Sequence, residues 1–257
     1  MHSLNHQNYP YLEEEYAGLL KHIPLNPLST PKTVLDVACG MGTISLAVQN
    51  KGYTVWGIDK NREAAAIAAG RIAKVINADL TNLPVIEKHL GGHTFDFIIF
   101  SHILEHIYDP LSIINGYLPS LKDTGRLIVS VPNVAVWSNR IKLLLGNFTY
   151  TDTGIMDRTH IRFFTLRSAT ALLRKSGCSI VAVDYTPYFV RAFLPLIKRM
   201  FHLQGTIRHT DRRKIVDSRA YRWYTRYIYP VEYCLGHLRK SLFAYDFIIV
   251  AEKGHAE

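Results

Sequence analysis

The stretch Val34-Leu35-Asp36-Val37-Ala38-Cys39-Gly40-Met41-Gly42-Thr43 constrains this chain more than any other. An apolar run takes in an acid, two glycines follow, and a helix-like segment begins. Seventeen residues after Gly42 a second apolar run ends in Asp59, within Trp56-Gly57-Ile58-Asp59. Thr33 to Val37 reads as a buried parallel strand, because such strands are continuously apolar rather than alternating. Ligands of open α/β sheets sit at the carboxyl ends of the strands. Gly40 and Gly42 allow a sharp turn and a close approach of ligand to bare backbone. Asp59, at the end of the second strand, is suited to accept hydrogen bonds from two ribose hydroxyls.

A dinucleotide site calls for G-x-G-x-x-G, so that a pyrophosphate rests on a helix N-terminus. Here the third glycine position holds Ser45. Asp36 would repel a pyrophosphate but suits a cationic amino group. The two acids and the bare turn therefore favour S-adenosylmethionine over a dinucleotide. The plainer alternative is a tight strand-to-helix turn with no ligand.

These residues resemble those of class I S-adenosylmethionine-dependent methyltransferases. The similarity is closest to the branch that includes the ubiquinone-biosynthesis O-methyltransferases and many small bacterial methyltransferases. Three further stretches carry it: Asn77-Ala78-Asp79-Leu80, Phe95 through His106, and Leu121 through Asn133. The resemblance implies a Rossmann-like α/β fold, a doubly wound seven-stranded sheet whose last strand is antiparallel and lies between the fifth and sixth. It implies cofactor contacts at Asp36, Ala38, Gly40, Gly42, Asp59, Lys60, Asp79, Leu80 and Ser101, with Asp79 meeting the adenine amino group. The family usually has glycine where this chain has Ala38, and only a modest change of loop shape is expected there.

Strands are expected near 33–38, 53–59, 74–78, 95–100, 125–131, 179–185 and 241–251. Helices are expected over 11–23, 43–50, 61–71, 109–121, 134–145 and 166–176, with Asn61 as an N-cap. The chain then divides into an N-terminal helix and linker (1–31), a methyltransferase core (32–185), a basic aromatic insertion (186–241) and a final strand with its tail (242–257). In the family the leading helix often covers the cofactor.

Methyl transfer from a sulfonium needs alignment above all, because the donor is already activated. A base is needed only for an acceptor protonated at working pH, and histidine suits that task. His102 and His106 follow the fourth strand. His160 lies in the polar stretch Gly154 to Thr165, which reads as an active-site lid. For His160, a base and a scaffold that holds the lid closed are equally open readings. In the ubiquinone O-methyltransferases the block E-x-x-E-H is associated with a divalent metal. This chain keeps Glu105 and His106 but has His102 at the first acid, and magnesium prefers oxygen ligands. No metal is assigned.

Net charge is +9, and twelve Lys and Arg against three acids between Thr186 and Ser241 account for all of it. The same segment is rich in aromatics. Four readings stay open: a solvated cap, a membrane or lipid contact, a pocket for an anionic acceptor, and nucleic acid. Nucleic acid is disfavoured, since no evenly spaced phosphate track is evident. A block like Asn-Pro-Pro-Tyr is absent after the fourth strand, which counts against amino-group methylation of nucleic acid and protein glutamine. The expected acceptor is a small molecule, a lipid-linked compound or a sugar. An N-methyltransferase, or a non-catalytic module that docks a membrane or partner, is the alternative. Three cysteines without pairing or metal spacing suggest a reducing compartment. With no signal-like N-terminus and no apolar run of about 18 residues, the chain is expected in the cytoplasm, with peripheral contact at the inner membrane surface left open.

Overall fold

The computed structural model describes residues 13–27, 30–188 and 223–254. Seven strands form one sheet: β1 Thr33–Val37, β2 Thr54–Asp59, β3 Lys74–Asn77, β4 Phe95–Ser101, β5 Leu121–Pro132, β6 Cys178–Pro187 and β7 Ala244–Lys253. Their order is β3-β2-β1-β4-β5-β7-β6. The first five pair in parallel, whereas β7 runs antiparallel between β5 and β6. The chain leaves β1 toward β2 on one side and returns to β4 on the other, so a crevice opens at the carboxyl ends of β1 and β4.

Alternate residues of each strand feed two apolar layers, as the two-residue period of a strand requires. Leu35 and Val37, Ile98 and Phe100, and Leu127 and Val129 point to one layer. Val34, Phe97, Ile99, Ile128 and Ile248 point to the other. The first layer is closed by α4 (Leu83–Leu90), α5 (Pro110–Tyr117) and α7 (Leu166–Lys175), through Ile86, Ile114 and Leu173. The second is closed by α1 (Glu13–Leu20) and α2 (Thr43–Gln49), through Leu19, Ile44 and Val48. Between β2 and β3 lies α3 (Arg62–Ala69), capped by Asn61, whose side chain accepts from the N–H groups of Glu63 and Ala64. After β5 comes α6 (Trp137–Leu144).

Several elements differ from the sequence expectations. Helix α4 was not anticipated. Its signals are short: Pro84 in the first turn, Leu83, Ile86 and Leu90 at helical spacing, and Gly91 as a left-handed C-cap. The last strand begins at Ala244 rather than 241, because Lys240–Phe243 forms a helical turn, α9. It follows α8 (Tyr229–Leu238) and a π-helical turn over Tyr224–Ile228. Helix α1 packs on the sheet through Leu19 and is not among the residues around the crevice, so its described part does not cover the cofactor end. The amphipathic pattern expected over 188–201 and the charge clusters at Arg208 and Arg212-Arg213-Lys214 lie outside the described residues, apart from Tyr188.

Candidate active site

A cavity of about 690 Å³ occupies the crevice. Its floor is the β1–α2 turn. Gly40 sits at φ +54, and no protein atom lies within 4 Å of where a Cβ would stand, so the backbone is bare on the ligand side. Gly42, at φ +75, caps α2, and a Cβ there would press on Ala68 of α3 at 3.1 Å. Gly42 therefore closes a helix–helix contact and does not line the cavity. Ala38 stands at φ +65, a left-handed conformation that favours glycine.

Carboxylates surround this turn. Asp59 accepts from the Gly40 N–H and the Asn61 N–H, both at 2.8 Å, and so joins the β1 turn to the start of α3. Each oxygen keeps a lone pair for a ribose hydroxyl. Asp36 is buried, and Ser45 Oγ donates to its Oδ2. The residue that replaces the third glycine of a dinucleotide loop thus holds the acid in place. Burial, aided by the nearby Asp59 charge and partly countered by Ser45, pushes the Asp36 carboxyl up to about 6. Asp79 accepts from the Thr81 N–H at 2.9 Å and Thr81 Oγ1 at 2.7 Å, and these bonds hold its carboxyl below the usual range. Lys60, Leu80 and Ser101 also line the cavity, and Ser101 Oγ shares a hydrogen bond with Ser130 Oγ at 3.1 Å.

The far end of the cavity is formed after β4, where a 3₁₀ turn spans Leu104–His106. His102 sits at φ +50, with Nε2 3.1 Å from Asp246 of β7 and Nδ1 3.4 Å from Glu105. Burial alone would lower its pKa, but the two carboxylates outweigh that and raise it to about 10. His102 is therefore a cation at neutral pH and is ill suited to accept a proton. His106 differs. Its Nδ1–H donates to the Thr159 carbonyl at 3.2 Å, which leaves the lone pair at Nε2. Burial, with the neighbouring His160, pulls its pKa down against the pull of Glu105. His160 is buried, its Nδ1–H donates to the Ile155 carbonyl at 3.1 Å, and its ring meets His106 edge-on at 4.8 Å. It does not line the cavity, which disfavours the base reading and favours the scaffold.

Comparison with known proteins identifies the relationship. The family model described as "Methyltransferase domain" matches residues 5–183. The chain belongs to this methyltransferase domain family. It is 34% identical over 139 residues to the ubiquinone biosynthesis O-methyltransferase of Histophilus somni (strain 2336), covering 52% of this chain and 54% of that protein. It is 27% identical over 167 residues to the protein of the same name from Hydrogenovibrio crunogenus, covering 62% and 68%. The chain thus spans about half the length of the first of these curated relatives. Among solved structures, a SAM dependent methyltransferase from Archaeoglobus fulgidus matches with TM-score 0.57 at 20% identity, covering 94% of each chain. Magnesium protoporphyrin IX methyltransferase from Synechocystis PCC 6803, solved with bound SAH, matches with TM-score 0.53 at 16% identity, covering 94% of this chain and 81% of that one. These likenesses establish the shared fold.

The methyltransferase domain brings eight of the nine expected cofactor residues to one cavity, Gly42 being the exception. S-adenosylmethionine is the cofactor this cavity fits. The bare backbone at Gly40 admits a ligand, Asp36 suits an ammonium, Asp59 a ribose and Asp79 an exocyclic amine. Asn61, Thr81 and Tyr108 also line the cavity and were not anticipated. The N-cap signature at Asn61 and the Asp-x-Thr pattern at Asp79 were readable signals for two of them. Glu105, His106 and His160 hold ligand-type atoms within 4.8 Å of one another, so His160 rather than His102 completes the metal-like trio. The Glu105 carboxylate also faces the His102 imidazolium, whose charge already compensates it.

Proposed function

We propose that this protein transfers the methyl group of S-adenosylmethionine to an oxygen of a small-molecule, lipid-linked or sugar acceptor, with His106 as the base. The observation that carries this reading is one cavity lined both by the carboxylates and by His106, a histidine whose pKa burial lowers and whose lone pair is at Nε2. When bound, S-adenosylmethionine supplies a methyl group already activated on a sulfonium. Asp36, Asp59 and Asp79 grip and orient the donor. His106 Nε2 takes the proton that leaves the acceptor hydroxyl as the new carbon–oxygen bond forms. The Thr159 carbonyl holds that ring in its tautomer, and His160 packs against it. Ser101, Ile103 and Ile107 form the wall beside the acceptor end. Oxygen is favoured over nitrogen because the curated relatives carry O-methyltransferase names.

Isothermal titration tests the first half of the reading. S-adenosylmethionine and S-adenosylhomocysteine should both bind, and Asp59→Ala should weaken both; failure to bind either ends the proposal. Incubation with labelled methyl donor and a cell extract, then fractionation into lipid, sugar, protein and RNA pools, tests the second half. Label should enter the lipid pool, the sugar pool or the remaining small molecules. Label confined to protein or RNA would overturn the acceptor class.

A further inference from the structure

What Asp79 can hold depends on the turn that carries it. That turn runs Asp79-Leu80-Thr81-Asn82, between β3 and α4. The Asn82 N–H donates to the Asp79 carbonyl at 3.0 Å, which makes Leu80 and Thr81 the central pair of a β-turn. The peptide joining such a pair is the part of a turn most free to rotate, because types I and II differ mainly in its orientation. Here that one peptide is held from both sides. Its N–H, from Thr81, donates to Asp79 Oδ1 at 2.9 Å. Its C=O, from Leu80, accepts from Tyr117 Oη at 3.1 Å. Rotation would break both bonds together.

Tyr117 is the last residue of α5 and is 1% exposed. Its ring meets Phe100 of β4 edge-on at 5.5 Å. Phenylalanine would serve that packing as well, so the hydroxyl acts on the turn alone. A buried tyrosine hydroxyl calls for a partner, and the Leu80 carbonyl supplies it. Burial pushes its ionisation far above neutral pH, so it remains an O–H donor. On the other side of the peptide, Asp79 Oδ1 also accepts from Thr81 Oγ1 at 2.7 Å. Oδ2 makes no hydrogen bond among the described residues and is left for a ligand. Leu80 and Thr81 line the cavity, whereas Tyr117 does not.

We propose that Tyr117 is a positioning residue for the methyl donor: it locks the Leu80–Thr81 peptide before the donor arrives and so aims the second oxygen of Asp79 at the adenine amino group. Without the hydroxyl the turn samples the rotated peptide, and apparent affinity falls by the fraction of molecules that keep the right one. The inference rests on the donor reading given above, in which Asp79 takes the exocyclic amine, and the experiment below reads the two apart.

Isothermal titration of S-adenosylhomocysteine into Tyr117→Phe, Asp79→Ala and the double variant tests it. Tyr117→Phe should weaken binding about fivefold to tenfold, the weight of one hydrogen bond. The same factor should appear with 5′-methylthioadenosine, which lacks the amino-acid half. In the Asp79→Ala background the tyrosine change should weaken binding less than about twofold, because two residues that act as a unit are not additive. Unchanged affinity in Tyr117→Phe overturns the inference. So does a full loss that persists without Asp79, which would mark a general loosening of the fold. Asp79→Ala binding as tightly as wild type removes the donor contact and the inference with it. Loss in Asp79→Ala with none in Tyr117→Phe removes the inference alone. If Tyr117→Phe does not fold, amide exchange in the wild type decides: the Thr81 N–H should be protected in the ligand-free protein. Protection that appears only once S-adenosylhomocysteine is added overturns a lock set in advance.

Discussion

At the scale of single residues, three side chains have consequences that can be measured. Asp36 must be ionised to hold an ammonium, and its carboxyl is raised to about 6. S-adenosylmethionine affinity should therefore fall as pH drops below about 6, and titration at pH 5.5 and 7.5 should show proton release on binding at the lower pH. Asp36→Asn should bind weakly at both. Ala38 is held at φ +65, which costs a non-glycine residue about 1–2 kcal/mol. Glycine there would relieve that strain but loosen the unfolded chain by about 0.4–1 kcal/mol. Ala38→Gly should therefore stabilise the protein by about 0.5–1 kcal/mol in urea unfolding, so the alanine alters more than loop shape. If His106 is the base, His106→Gln should lower kcat by about 10²–10⁴-fold with little change in donor affinity. The wild-type rate should then hold at pH values somewhat below the ordinary histidine range, because the ring resists protonation there.

At the scale of elements, a buried acid ties three pieces of the fold. Asp184 on β6 takes an ion pair from Lys21 just after α1, faces His22 Nε2 at 3.4 Å, and accepts from Tyr233 of α8 at 2.6 Å. Lys21 Nζ also donates to Tyr233 Oη at 2.8 Å. Burial would raise the Asp184 pKa, yet the donors from His22, Lys21 and Tyr233 outweigh it and hold the carboxyl well below the usual range. A depressed acid stabilises the fold above its unfolded pKa near 4, and that stability is lost as pH falls through the folded value. Asp184→Ala should cost about 1–3 kcal/mol at pH 7, at the lower end because Lys21 is half exposed. The gap between variant and wild type should narrow in acid, which chemical unfolding at pH 7 and pH 3 can read. The aromatic insertion is thus fastened at its return end to the sheet edge and to α1.

At the scale of the whole molecule, His102 links the end of β4 to β7, strands far apart in sequence that meet only because β7 inserts next to β5. Its pKa is raised above the unfolded value near 6.5 to about 10. The stability this cation contributes is complete below about pH 6.5 and is lost as pH rises through 10. Melting temperature should therefore decline between pH 7 and 10, and the decline should flatten in Asp246→Asn. A profile that is unchanged by that variant would remove the ion pair from the alkaline behaviour. Sheet and site are coupled here: the strand that completes the fold also sets the charge of a cavity residue.

Much of this architecture is legible in the sequence alone. Continuous apolar runs fixed by burial on both faces mark parallel strands, and the acid–glycine turn with its second acid names the nucleoside pocket, because local backbone chemistry needs those residue types at those spacings. Helix α4 leaves little trace in the sequence because eight residues carry little periodic signal. The roles of the three histidines could not be read locally at all. One is made cationic by Asp246, 144 positions away, another is kept neutral-leaning by burial and the neighbouring His160, and the third stands behind it out of the cavity. A proton's affinity depends on charges and solvent within a few ångströms, and only the folded chain decides which distant residues supply them.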